Sequence, residues 1–194
     1  IPYSICLEVG ERSDTLVAPP VTFGLSIIPH MAGKGTIALD GTTFIEVCRD
    51  YIESLYEHGF RKFLCVIGHK SNESPFNTVV HELLREHDDM NIVSLGWWEF
   101  QEHEDVVQER FERYSIYHVE ASVVKYLDED LLKEPIRIKE EISHEISLDE
   151  IKEEFENEGT TEEDVDKITK DFGEEIFDIS VEGLLNKLEH LRDI

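Results

Sequence analysis

Lys62-Phe-Leu-Cys-Val-Ile67 opens with a lysine, runs unbroken through apolar residues, and stops at Gly68-His-Lys-Ser-Asn72. A run of that length between turn signals predicts a strand buried on both faces, as in a parallel sheet. Upstream, residues 42–58 carry Phe44, Val47, Cys48, Tyr51, Ile52 and Leu55 at helical spacing. They predict an amphipathic helix, capped by Thr42 or Thr43 and ended by Gly59. Downstream, Phe76, Val79, Val80, Leu83 and Leu84 predict a second helix. Asn91 to Leu95 predicts a second strand, leading into Gly96-Trp97-Trp98. Strands alternating with helices imply an α/β fold, in which ligand sites lie beyond the C-terminal strand ends. His69 and Trp98 both fall at such ends.

The flanks are less regular. Pro2, Ile5 and Val9 predict a helix that opens in its first turn at Ile1. The expectation is that a strand and a loop precede it on a segment outside this sequence. Thr15 to Ala18 reads as a short buried strand stopped by Pro19-Pro20, and Thr36 to Leu39 as another. Residues 21–35 are irregular and rich in glycine towards their end. Residues 145–171 are strongly acidic and read as exposed helices and turns, an insertion spanning about 140–172 within one domain of 1–194. Ile176, Ile179, Leu184, Leu185 and Leu188 predict a closing helix over 174–192.

The formal net charge of −26 repels phosphate, which argues against nucleic acid and anionic membrane as partners. Of 44 acidic residues, 24 follow residue 127, so the second half carries most of that charge. No apolar run reaches the roughly 18 residues that span a bilayer. Cys6, Cys48 and Cys65 form no CxxC pair and sit among apolar neighbours, which fits core packing in a reducing, cytoplasmic setting.

His69 is the leading candidate for chemistry. Imidazole binds metals and accepts protons, and Gly68 lets the backbone approach closely. His118 and Glu120 stand two apart, so on an extended segment both would face one way and could share a cation. Trp98 offers a flat wall for a small planar substrate, and His30 a polar rim. A buried indole and a surface histidine are the plainer alternatives. Two motifs fail. Gly33-Lys34 lacks the glycine five positions earlier and the hydroxyl after lysine that a phosphate loop needs, since Ile28 and Gly35 stand there. His81 and His87 are six apart rather than the four of a zinc-protease helix.

Taken in order, several segments resemble the creatininase (creatinine amidohydrolase) family. Val17-Ala-Pro-Pro-Val-Thr-Phe-Gly24 is similar to its Pro-Pro-x-x-Tyr-Gly turn, and His30-Met-Ala-Gly-Lys-Gly-Thr-Ile37 to its His-x-Gly-Phe-Pro-Gly-Thr-Ile segment. Gly68-His-Lys-Ser-Asn72 resembles the end of an Asn-Gly-His-Gly-Gly-Asn signature, Trp98-Glu-Phe100 a Trp-Asp-Phe, and Glu120-Ala-Ser122 a Glu-Thr-Ser. Gly173-Glu-Glu-Ile-Phe177 looks like the start of its closing helix.

The resemblance implies a three-layer α/β/α sandwich with a mostly parallel central sheet, often a homohexamer. It implies two divalent ions (Zn, Mn or Fe), with His69 a metal ligand and Glu120 another, expected to meet around a cation. Trp98 would orient a small amide substrate, joined by His30 and Ser71 at the substrate and by His118 in proton handling. The remaining ligands, a Glu-x-His pair and an Asp, would come from a segment before Ile1, as a companion fragment or a continuous piece of chain. The departures are Lys70, Ser71 and Ser115-Ile-Tyr117 in place of His-Ala-Gly. They put creatinine itself in doubt as substrate, and leave a non-catalytic scaffold or binding subunit as the alternative.

Overall fold

The computed structural model describes residues 1–26, 36–111, 116–132, 138–139, 160–161 and 164–194. They gather into two compact units, Pro2–Glu99 with Gly183–Ile194, and Phe100–Glu182 with Ile1. No helix among the described residues is long and apolar enough to cross a membrane.

The first unit is built on the expected strand-helix-strand core. Helix α1 (Pro2–Ser13) buries Ile5 and Val9 and packs against β1. Helix α2 (Gly41–Glu57) buries Phe44, Cys48 and Ile52, one residue per turn on a single stripe. Its N-cap is Asp40 rather than Thr42 or Thr43, because the Asp40 carbonyl takes the first helical bond, from Phe44 N–H at 2.8 Å. Its end is a Schellman turn. Gly59 sits at φ 96°, Phe60 N–H reaches Leu55 O at 3.2 Å, and Gly59 N–H reaches Tyr56 O at 2.9 Å. Strand β1 (Lys62–Ile67) follows directly, then a short 3-10 turn at Lys70–Asn72 and helix α3 (Glu73–Glu86), which buries Phe76, Val79, Val80 and Leu83. Strand β2 (Asn91–Gly96) returns parallel to β1, in register from Lys62↔Asn91 to Ile67↔Gly96.

The core of this unit is Phe63 and Ile67 of β1 with the buried stripes of α2 and α3, closed by Met90. Cys48 is in it and Cys65 packs against it, as core packing expects, with the thiols pushed up to about 11 and about 12 by burial. Leu64 and Val66 are only half-buried, so β1 is less enclosed than a strand covered on both faces.

Two expected strands fail to form. Residues 15–18 have no ladder: Thr15 N–H turns back to Gly10 O at 3.0 Å, and Leu16 is 82% exposed. β-branched neighbours favour a strand locally but cannot make one without a partner edge. Residues 36–39 contribute a single parallel bridge, Gly24↔Ala38, with Leu39 N–H on Gly24 O at 2.8 Å.

The second unit is mainly helical. Helix α4 (Gln101–Arg110) buries His103 and Val107, and α5 (Ile116–Leu127) buries His118, Val119, Ser122 and Val123. Strands β3 (Ile138–Lys139) and β4 (Thr160–Thr161) make a two-residue antiparallel pair. Helix α6 (Lys170–Asp193), which belongs to this unit as far as Glu182, begins at a Thr169 cap, whose Oγ1 accepts Phe172 N–H at 3.2 Å. The helix starts four residues before the expected 174. Most of the acidic insertion lies outside the described residues. Its end does not fit an exposed segment, since Ile168 is 2% exposed and packs with Tyr117, Ala121, Leu132 and Val165. Arg110 fixes that end by donating to Lys167 O at 2.9 Å and to Thr169 Oγ1 at 2.8 Å.

Buried His103 gives this unit a pH signature. Desolvation pushes its pKa down to about 4, against about 6.5 in an unfolded chain. As pH falls, the unfolded chain takes the proton first. The stability tied to neutral His103 is therefore complete above about pH 6.5 and drains away towards pH 4, by about 2 kcal/mol at pH 5. Urea unfolding at pH 7 and pH 5 should show that loss in the parent and a shallower slope in His103→Leu. Equal slopes would refute it.

Candidate functional site

The end of the β1–α3–β2 unit presents the candidate residues of the first unit. His69 stands two residues past Ile67 and is half-buried, with an extended backbone at φ −145° and ψ 128°. Trp98 stands two residues past Gly96, the register partner of Ile67, so both side chains leave neighbouring parallel strands at the same level. That is the C-terminal edge where open α/β sheets place ligands. Trp98 is half-buried against the α2–α3 core and meets Trp97 edge-on, at 5.8 Å and 83°. Trp97 itself is 1% exposed and is core. Ser71 is half-buried and Lys70 exposed in the 3-10 turn. His30 lies outside the described residues.

The loop after β1 is held by a residue to which its sequence gave no role. Asn72 Oδ1 accepts Leu25 N–H at 2.8 Å, and Asn72 N–H returns to His69 O at 2.9 Å. A side chain on Gly24 would meet the Asn72 amide at 2.6 Å, so Gly24 is a slot for that amide. The signal lay in the glycine: a residue without a side chain opposite a polar loop marks a close approach. Asn72→Ala leaves the Leu25 N–H without this acceptor, which costs about 1–2 kcal/mol. Thermal melting should fall by several degrees in Asn72→Ala and much less in Asn72→Asp, which keeps the Oδ1 acceptor. Equal melting of the two variants would contradict the role of that oxygen.

In the second unit, the expectation that His118 and Glu120 face one way is corrected. Residues 116–127 are helical, so side chains two apart diverge by about 200°. The apolar positions Val119 and Val123, four apart and fully buried, set the helical period over the local β preference of valine. His118 is 3% exposed and lies against Phe111, with ring centroids 5.0 Å apart. Ser122 Oγ donates to His118 O at 2.8 Å, one turn along the same buried face. Glu120 is half-buried, and desolvation raises its carboxyl pKa above the ordinary value.

Among the described residues, one group brings three possible ligand atoms close together: Glu53, Glu86 and His87. It lies between α2 and α3, with His87 Nε2 at 3.0 Å from Glu53 Oε1. Arg49 already supplies a cation there, paired with Glu86, with Glu82 at 3.3 Å and with Glu53 at 3.6 Å. It is an ion-pair network between helices.

An α/β strand-helix-strand unit with imidazole and indole at adjacent strand ends fits a class of small-molecule enzymes with oxygen and nitrogen donors at the sheet edge. Comparison with known proteins defines the relationship more closely. Residues 1–188 match the family model Creatininase, described as creatinine amidohydrolase, and the chain belongs to that family. A creatinine amidohydrolase from Pseudomonas putida is 30% identical over 120 residues, taking in 57% of this chain and 46% of that protein. The matched part thus spans about half the length of that relative. Among solved structures, a tryptophan-to-phenylalanine mutant creatininase matches with TM-score 0.79 and 21% identity, over 98% of this chain and 81% of that one. A manganese creatininase matches with TM-score 0.77 and 21% identity, over the same shares. A glutamate-to-glutamine mutant creatininase complexed with creatine matches with TM-score 0.77 and 22% identity, over 98% and 82%. At these identities the likeness is one of fold. The α/β class with parallel pairing is as expected, and a three-layer sandwich is consistent with it.

Proposed function

We propose that this chain carries the substrate-handling edge of a metal-dependent hydrolase that opens a C–N bond in a small cyclic or linear amide outside peptides. The observation that supports it most is the pair His69 and Trp98, set at one level on adjacent parallel strand ends in a member of the creatininase family. A creatininase solved with manganese, another described as a Zn-Zn type, and one complexed with creatine indicate the chemistry to test.

The donor chemistry of the described residues fits a divalent ion. His69 offers an imidazole nitrogen in a loop pinned by Asn72, and Glu120, in the other unit, offers a half-buried carboxylate whose pKa desolvation raises. Mixed nitrogen and oxygen donors suit Zn, Mn or Fe without choosing sharply among them. A bound pair of such ions would supply an acidified water and a polarised carbonyl. Trp98 holds the planar amide group, excludes water from one side of it and fixes its orientation. Ser71 and His30 contact the substrate rim. His118, buried on the far side of α5 from Glu120, supports the helix that carries Glu120. A homohexamer in the cytoplasm is part of the same proposal.

The test is hydrolysis of a panel of small lactams, cyclic ureas, creatinine and linear amides by full-length protein. Turnover should disappear with a chelator and return with Zn or Mn. Turnover that ignores the chelator, or protein that binds metal and turns over none of the panel, would favour another function.

A further inference from the structure

We infer that Gly96 and Glu99 form a clamp that seats the Trp98 indole in its working position, making them positioning residues for the substrate site. The inference rests on the proposal that Trp98 faces substrate. The four residues Gly96–Glu99 close on themselves twice. Glu99 N–H donates to Gly96 O at 3.2 Å, and Gly96 N–H donates to Glu99 Oε1 at 2.8 Å. Main chain and side chain of Glu99 therefore bind both backbone groups of Gly96, and Trp98 hangs in the loop between them.

Gly96 has no positive φ, so backbone conformation does not require a glycine there. Space does. A side chain at 96 would meet Trp98 Cε2 at 2.6 Å, Cζ2 at 2.7 Å and Glu99 Oε1 at 3.0 Å. The indole edge occupies the space beside the bare α-carbon, and the carboxylate closes beside it. Trp97 restrains Trp98 further, meeting it edge-on. Glu99 also lies within electrostatic reach of the helix after His69: the pKa of Glu73, in the first turn of α3, is raised, first by desolvation and then by the Glu99 charge, against Lys70.

Trp97→Phe leaves Trp98 as the single indole of the chain, so its emission reports this seat alone. In that background, Gly96→Ala and Glu99→Ala should shift Trp98 emission to the red and increase quenching by acrylamide, while Glu99→Gln, which keeps an oxygen acceptor, stays near the parent. With metal content unchanged, KM for the best amide of the panel should rise about 10-fold or more in Gly96→Ala, with a smaller change in kcat, since a displaced indole wall loses binding felt alike by bound substrate and transition state. Glu99→Ala should follow in the same direction and Glu99→Gln restore the parent value. Unchanged emission in both alanine variants overturns the clamp. Shifted emission with parental kinetics overturns its substrate role and the reading of Trp98 together. Should Gly96→Ala fail to fold, the Glu99 pair, at an exposed position, carries the same test.

Discussion

Gly173→Ala is expected to destabilise the Phe100–Glu182 unit by about 2 kcal/mol or more, although alanine is the better helix former. In an open helix interior the change would stabilise by about 1 kcal/mol. Here an added Cβ would lie 1.9 Å from Ser122 O, 2.5 Å from Ser122 C and 3.0 Å from Tyr126 Cβ. The obstacle is the carbonyl of a residue inside α5, which cannot swing aside like a side-chain tip. Helices α5 and α6 would have to part by about an ångström, and close-packed interfaces do not stretch that far without losing contact. The Tyr126–Phe177 ring contact, now at 5.4 Å between centroids, would be lost or strained. Overpacking costs about 1–3 kcal/mol and sometimes more, which outweighs the gain in helix propensity. The melting temperature should drop by about 4–8 °C for a chain of this size. A rise in melting temperature would show that the two helices are not in the contact described.

His69→Ala should leave melting almost unchanged while reducing kcat/KM for amide hydrolysis by about three orders of magnitude or more. The two halves of that expectation come from different features. His69 is half-buried in the loop after β1, whereas the unit is held by Phe63, Ile67 and the stripes of α2 and α3. An activated water and a polarised carbonyl each represent several kcal/mol of transition-state stabilisation, and every 1.36 kcal/mol is tenfold in rate. Metal content measured alongside should fall with activity. Hydrolysis within tenfold of the parent would remove His69 from the metal-ligand set.

The β1–α3–β2 unit was legible because its signals are local and agree. An apolar run ends in glycine, a stripe follows at helical period, and a second apolar run ends in glycine. From those the parallel pairing and the placement of His69 and Trp98 follow. Asp40 as the helix cap was missed because two threonines follow it and composition alone does not say which carbonyl takes the first helical bond. Helix α4 gave little signal: His103 and Val107 are its buried residues, in a segment where Val106 is the one other residue without a charge or a side-chain amide. Helix α5 was misread at His118 and Glu120 because valine-rich segments suit strands locally. Its helical state is fixed by packing, as at Ser122 against Gly173. Thr15 to Ala18 erred the same way, with strand-like residues and no edge paired to them among the described residues. The resemblance of short motifs to a known family carried the functional reading further than spacing did. It named Asn72 only as part of a motif, and its hydrogen bond to Leu25 became visible in the fold.

The most direct test of the central claim is the metal content of full-length protein, determined by elemental mass spectrometry after chelation and reloading with Zn or Mn. The account predicts about two divalent ions per chain, as in hydrolases that clamp a reaction between two metals, and fewer in His69→Ala. Parent protein that stays metal-free when supplied with excess Zn and Mn would contradict it and leave a binding or scaffold role for this fold.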